Sequence, residues 1–462
     1  MITNRELTTK LEHFPRVLSY IILILFGILE TSSQELVGNS TEAHKELYKA
    51  QASKENIYRN WDNDLLNKKV DSIITNGIKM NAFPGAQVLV AIDGDIIFHK
   101  TYGFHTYEND QAVGPTDLYD IASITKIIGP LPALMKLYEQ GKIDLDEPFS
   151  TYWKPWKNIS DKKDLTLREI LAHQAGLKPY IVFLNRVLKN GRFKKRFVST
   201  FPRPTYQKQA YRKLYIKDRF QNQIFKSIAK SEVSAQKSYR YSGLAFLLFP
   251  ELISQLSGRS YEYYLQKHFF LPLGATGLVF NPEAKKRPNP IVPTEIDSLY
   301  RKDTVRGWVH DENASLFGGV SGNAGLFGTA RDLYLMMQLY LNYGTFNEQQ
   351  FFRKETVKEF TAIQYPTNEN RRGLGFDKPL INNNDYELDQ AYPAPEASPA
   401  SFGHGGFTGT FVWADPEYRM VYIFLSNRVY PSRSHRQLYE LNIRTAVQQV
   451  FYQAITNELS FN

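Results

Sequence analysis

Asp120-Ile121-Ala122-Ser123-Ile124-Thr125-Lys126 decides how this chain is read. A serine and a lysine three residues apart at a helix start share one face, so the amine stands beside the hydroxyl and can help take its proton. A serine in the first helical turn also feels the positive end of the helix dipole, which favours negative charge on its oxygen. The spacing alone says little, because it recurs at Ser160/Lys163, Ser227/Lys230 and Ser234/Lys237. Those pairs lie in charged, surface-type sequence; Ser123 sits in an apolar segment after an acid, Asp120. Beyond it, Gly129-Pro130-Leu131-Pro132 interrupts an apolar helical pattern that runs to Gly141. Pro130 has no N–H for the carbonyl of Lys126, so a kink is expected just past the lysine.

On the N-terminal side, GAQVLVAI and DIIFHKTYG flank Asp93-Gly94 and predict a hairpin over 85–103, with a helix before it between 61 and 77. On the C-terminal side, 145–345 reads mostly as helices and loops, with helices expected over 165–176, 244–257 and 330–342. Strand patterns return at 409–414 and 419–426 around a turn at Asp415-Pro416-Glu417, and a helix is expected over 436–455. Strands at both ends of a helical middle predict one α/β unit whose sheet is completed by the C-terminal segment. That unit spans 61–460.

The 462 residues are 42% hydrophobic and 14% aromatic, enough for a large core, and contain no cysteine. Disulfides, thiolate nucleophiles and cysteine metal sites are therefore excluded. Arg5, Lys10 and Arg16 precede an uncharged run over 17–29 and then Thr31-Ser32-Ser33. This order predicts a secretory signal peptide, 1–33, followed by a polar tether, 34–60, and places the protein in the periplasm or envelope. Glu6 and Glu12 leave an uncleaved signal anchor open. The net charge of +9 is unevenly placed: 186–230 holds fourteen Lys or Arg and one acid, so that basic insertion carries +13 and the rest −4. Aromatics interleave there, as in some nucleic-acid binders, but a secretory signal argues against nucleic acid. A solvated, partly helical flap and a patch for an anionic envelope polymer or lipid both remain open.

Three further segments carry chemistry: Leu171-Ala-His173-Gln-Ala-Gly176-Leu177, Tyr239-Arg-Tyr241-Ser-Gly243, and Gly403-His404-Gly405-Gly406-Phe407-Thr408-Gly409-Thr410. With Ser123-x-x-Lys126, their order and spacing over 60–455 resemble the serine hydrolases of the β-lactamase and penicillin-binding-protein fold. The resemblance is to the class C β-lactamase-like branch, which includes D,D-peptidases and esterases. It implies an antiparallel sheet flanked by N- and C-terminal helices, with an inserted, mostly helical region. It also implies Ser123 as the acylated nucleophile, Lys126 as its partner and Tyr241 as general base and then acid. His404-Gly405-Gly406 would stand for the Lys-Thr-Gly strand motif, and the N–H groups of Ser123 and Phe407 would form the oxyanion hole. Glycines at 405 and 406 let a strand backbone approach an acyl group closely. Tyrosine is a poor base at neutral pH unless cations lie near, and Lys126 with His404 are the expected source.

The chain departs from this pattern at Gly243, where the branch usually has asparagine. A glycine cannot bond a substrate amide or steady the lysine, which tilts the expectation from β-lactamase toward a D-amino-acid peptidase, amidase or esterase. Gly307-Trp-Val-His310-Asp311 and the glycine-rich run from Gly318 to Phe327 resemble a stretch in envelope members of the branch, some of which are joined to a glycosidase. His310 could line the cleft or cap a loop. The expected substrate is a small molecule or peptidoglycan fragment, handled by a monomer without cofactor or metal. The competing reading is a non-enzymatic envelope binding protein on the same fold. Gly-x-Ser-x-Gly, His-Glu-x-x-His and Walker-type motifs are missing.

Overall fold

Gly85–Ile92 (β1) and Asp95–Gly103 (β2) pair antiparallel around Asp93-Gly94, whose φ angles of 55° and 88° suit the right-handed strand twist. Residues 63–456 are described by the computed structural model, so the expected signal peptide and tether lie outside the described residues. Contacts divide the chain at Asp64/Leu65, and the elements below belong to the unit from Leu65 onward, which the first helix enters at its third residue. Three C-terminal strands, Phe402–Gly405 (β3), Phe411–Asp415 (β4) and Met420–Ser426 (β5), complete the sheet in the order β3-β4-β5-β1-β2. Every pairing is antiparallel, with β1 and β5 in register from Ala86/Ser426 to Ile92/Met420. Segments more than 300 residues apart in the chain thus meet in adjacent strands.

The helices used below are α1 (Asn63–Lys79), α2 (Thr125–Ile128), α3 (Pro130–Glu139), α4 (Phe220–Lys230), α5 (Ala330–Leu341) and α6 (Ile443–Ile455). Alternation along buried β5 assigns its two faces. Tyr422 meets Phe451 of α6, and its hydroxyl donates to Arg444 O at 2.9 Å. Val421, Ile423 and Leu425 join the main core that includes α5. α1 lies on the α6 side: Asp71 accepts from Tyr102 Oη of β2 at 2.8 Å, and a Cβ on Gly77 would stand 2.7 Å from Ile443 Cδ1. Both terminal helices therefore cover one face of an antiparallel sheet in an α/β fold. Among the described residues no helix is long and apolar enough to cross a membrane.

The kink falls at Gly129 (φ −94°, ψ −92°), between α2 and α3, and Pro130 opens α3 at the position where its missing N–H costs nothing. The basic segment holds more strand than the sequence reading allowed. Val198–Ser199, Lys208–Tyr211 and Leu214–Ile216 form a small sheet, and Leu188–Lys189 pairs with Arg192–Phe193. Strands of two to four residues separated by cationic turns are too short to display an alternation. α4 then buries Phe220, Ile224 and Ile228 as one stripe.

Candidate active site

Ser123 lies in the 3-10 turn Ala122–Ile124, and that turn is held under strain. Ala122 takes φ 45°, a left-handed conformation that a side chain disfavours by about 1 kcal/mol or more. Buried Asp120 stabilises it by accepting from the N–H of Ala122 (2.9 Å) and of His310 (2.6 Å). Burial raises the Asp120 carboxyl above its ordinary range, against these two hydrogen bonds. Lys126, 2% exposed, donates to Ser123 Oγ at 3.0 Å and to the carbonyl of Asn323 at 2.9 Å. The spacing thus brings amine and hydroxyl together as expected. The expected dipole contribution is smaller than supposed, because α2 is one four-residue turn ended at Gly129.

Tyr241 sits in a loop held by His173. The ring of His173 lies 4.5 Å from that of Tyr241, and its Nδ1 accepts from the N–H of Ser242 at 3.2 Å. The Lys126 ammonium meets the face of the Tyr241 ring, 5.3 Å from its centre, and the guanidinium of Arg372 stands 5.7 Å from the same centre. Arg372 is 1% exposed and pairs with Asp377 at 3.1 Å. Asp377 in turn bridges Gly403 on β3 through two backbone hydrogen bonds. His404 closes the cluster, its ring 6.0 Å from Tyr241.

His404 is not the cation that the sequence reading assumed. Burial, reinforced by Arg372 and Lys126, lowers its pKa to about 3. Nδ1 lies 2.7 Å from the Gly405 carbonyl and so carries the proton, leaving Nε2 a buried acceptor with no partner among the described residues. The charge beside Tyr241 comes from Lys126 and Arg372 instead. Unfolded, this imidazole takes a proton near 6.5; folded, it resists until about 3. Stability present above pH 6.5 is therefore lost as pH falls through that window, at about 1.4 kcal/mol per pH unit for each such histidine. Burial depresses His173 too. The melting temperature should fall between pH 7 and 4, and His404→Gln should flatten the curve; an unchanged slope would mean that His404 is charged in the fold.

The loop after β3 is docked onto the strand that leads to Ser123. Thr408 Oγ1 donates to Asp120 O (2.7 Å), Thr410 Oγ1 donates to Ile121 O (3.3 Å), and the Gly406 N–H donates to Thr410 O (2.7 Å). Among the described residues neither the N–H of Ser123 nor that of Phe407 has an acceptor. Two unused donors on segments tied together this way can serve an oxyanion. At Gly406 a Cβ would lie 2.0 Å from Thr410 Oγ1 and 2.7 Å from Ile121 O, whereas at Gly405 its nearest neighbours would be 3.5 Å away. Of these two glycines only Gly406 is sterically required by the protein itself. Gly406→Ala should cost about 1–3 kcal/mol in stability and slow reaction at Ser123, read by thermal melts and labelling rate. Wild-type behaviour on both would show that the loop tolerates displacement.

Gly243 faces open space, with Asn323 Cβ, 3.9 Å from a built Cβ, its only neighbour. Asn323 steadies the lysine through its carbonyl, and its side chain is held by Asp311 Oδ1 (3.1 Å) and by the Ser321 hydroxyl (2.7 Å). Asp311 also caps the short helix Glu312–Ser315. His310 is buried, with Nε2 2.8 Å from Glu295, and its ring stacks 5.7 Å from that of half-exposed Phe407. It thus packs its ring face against the loop after β3. Sequence reasoning missed Arg372 and Asn323. Asn323 lies in the glycine-rich run 318–327, which carries no role by its pattern, and only the pair Arg371-Arg372 marks Arg372.

Residues 70–446 match the model of the family described as Beta-lactamase. A protein of Escherichia coli K12 named "Putative D-alanyl-D-alanine carboxypeptidase" is 30% identical over 374 residues, covering 75% of this chain and 79% of that protein. The N-acetylmuramyl-L-alanine amidase of Bacillus subtilis is 27% identical over 385 residues, with 78% and 80% covered. Among solved structures, the octameric penicillin-binding protein homologue of Pyrococcus abyssi superposes with a TM-score of 0.57 at 20% identity, covering 80% of this chain and 76% of that one. The shared architecture and the matched residues, which include all four motif segments, place this chain in the Beta-lactamase family.

Proposed function

We propose that this protein is a serine hydrolase that forms an acyl-enzyme on Ser123 and acts on D-amino-acid peptides or amides of the cell wall. The observation that carries the reading is the Lys126 Nζ to Ser123 Oγ hydrogen bond of 3.0 Å, beside two backbone N–H groups without acceptors. In this mechanism Tyr241, in the field of Lys126 and Arg372, takes the proton from Ser123 as the oxygen attacks the carbonyl. The tetrahedral oxyanion is held by the N–H groups of Ser123 and Phe407, and Tyr241 returns the proton to the leaving amine. Water then repeats the sequence on the acyl-enzyme.

A peptide substrate is favoured over a neutral ester by a cation beside β3. Arg444 Nη1 stands 3.5 Å from where a Cβ at Gly405 would lie and donates to Thr410 O at 3.2 Å, which leaves its other N–H groups for a terminal carboxylate. The names of the two curated relatives agree with a cell-wall substrate and with action in the envelope. The test is intact mass after exposure to a fluorophosphonate probe, with peptide mapping, followed by turnover of D-Ala-D-Ala peptides, esters and penicillins. One adduct on Ser123 with peptide turnover supports the reading; a folded protein with no adduct supports a binding role for the cleft.

Gly243 bears on the substrate. The space beside Asn323 admits a side chain, and Gly243→Asn would add an amide able to bond a substrate carbonyl. Turnover of D-Ala-D-Ala peptides should rise by about 10-fold relative to esters, the worth of one hydrogen bond. An unchanged peptide-to-ester ratio would remove Gly243 from the account of specificity.

A further inference from the structure

A cavity of about 500 Å³ lies at the edge of the basic segment, outside the Ser123-Lys126-Tyr241 cluster. Lys226 and Lys230 of α4 line it together with Gln223 and Ser227, at helical spacing on the face flanking the buried Phe220-Ile224-Ile228 stripe. Arg186 and Lys178 enter from separate segments. Lys178 has a single ion pair, with exposed Glu232 at 3.8 Å; Lys162, buried and bonded to the carbonyl of the lining residue Ser231, is paired with Asp161 at 3.0 Å. Among the described residues Arg186, Lys226 and Lys230 have no acidic partner. Cations at a helix C-terminus answer the helix dipole, which accounts for Lys230 in the last turn of α4 but not for Lys226 one turn earlier. It does not account for Arg186 and Lys178 converging on them from elsewhere in the chain.

One wall of the cavity is also a wall of the catalytic cluster. Lys178 O accepts from Ser242 Oγ at 2.6 Å, Pro179 O from the Gly243 N–H at 3.3 Å, and Ile181 O from Asn313 Nδ2 at 3.0 Å. The segment from Lys178 to Ile181 thus turns one cation, Lys178, and Ile181 to the cavity while its carbonyls hold the Tyr241 loop. We infer that this cavity is a binding site for a polyanionic chain, one bearing repeated phosphate or carboxylate groups, held next to the reactive serine. Four cations around a concavity hold several successive charges of a flexible polymer, whereas a flat layer of headgroups cannot enter to meet them. The segment's excess of +13 steers such a chain toward the cavity from a distance.

The inference stands apart from the acyl-transfer reading, because binding can be read on full-length protein carrying Ser123→Ala. Fluorescence anisotropy with labelled inorganic polyphosphate and with poly-glutamate should show salt-sensitive binding of at least one. The triple variant Arg186→Gln/Lys226→Gln/Lys230→Gln should weaken it by about 10-fold or more, since three charges are lost at contact distance. Lys189→Gln/Arg192→Gln/Lys195→Gln removes the same charge from exposed positions outside the cavity and should weaken it less than about 3-fold. All six side chains are exposed, so circular dichroism should be unchanged in both variants. Equal losses in the two triples, no binding of either polymer, or binding only to phosphatidylglycerol vesicles would each overturn the proposal.

Discussion

Ser123→Ala abolishes covalent labelling and lowers turnover by about 10⁴-fold or more, while the fold survives. The size of the loss follows from removing the only atom that can carry the acyl group; what remains is binding and the two backbone donors. The fold should survive because Ser123 Oγ has one hydrogen-bond partner, and Lys126 keeps the Asn323 carbonyl at 2.9 Å when that hydroxyl is gone. The remaining cost to stability is about 1–2 kcal/mol for a partly unsatisfied ammonium. Intact mass and peptide mapping check the first part, a thermal melt the second. Labelling that persists in the variant would mean that another serine is activated. Ser227 is the poorest alternative, because its hydroxyl already donates to Gln223 O at 2.6 Å and Lys230 is exposed.

Tyr241→Phe slows turnover by about 100-fold or more, the usual worth of a positioned acid–base group. Phenylalanine keeps the ring between His173 and His404 and the contacts of Lys126 and Arg372 with its face, so loss of rate without loss of stability isolates the hydroxyl. Acylation and deacylation should both slow, since the same group moves a proton in each direction; burst-phase kinetics separate them. Unchanged rates would make Lys126 the base and leave Tyr241 a packing residue.

Several features were legible because they are local. Asp93-Gly94 between two branched, aromatic runs can hardly be other than a hairpin turn, and the β1–β2 register bears this out. Gly129-Pro130 marked the kink for the same reason: a proline's missing donor acts on its own helix. The Ser123–Lys126 contact followed from helical spacing alone. The short strands of the basic segment were missed because two to four residues carry no period, and their cationic turns masked the apolar partners Ala210, Leu214 and Ile216.

Chain chemistry and spacing by themselves determined the α/β class, the hairpin, the order of the four motifs and the pairing of a serine with a lysine. Tertiary structure alone decided the charge states and the supporting residues. His404 is neutral because the fold buries it beside Arg372 and Lys126, and no neighbour in its own sequence would depress an imidazole so far. Arg372 and Asn323 reach the cluster from positions 249 and 200 residues beyond Ser123, counted from their numbers. Periodicity reports which face of an element is apolar; it carries no information about which distant element brings a cation or a carbonyl against it, and electrostatics in a dry interior depends on that juxtaposition.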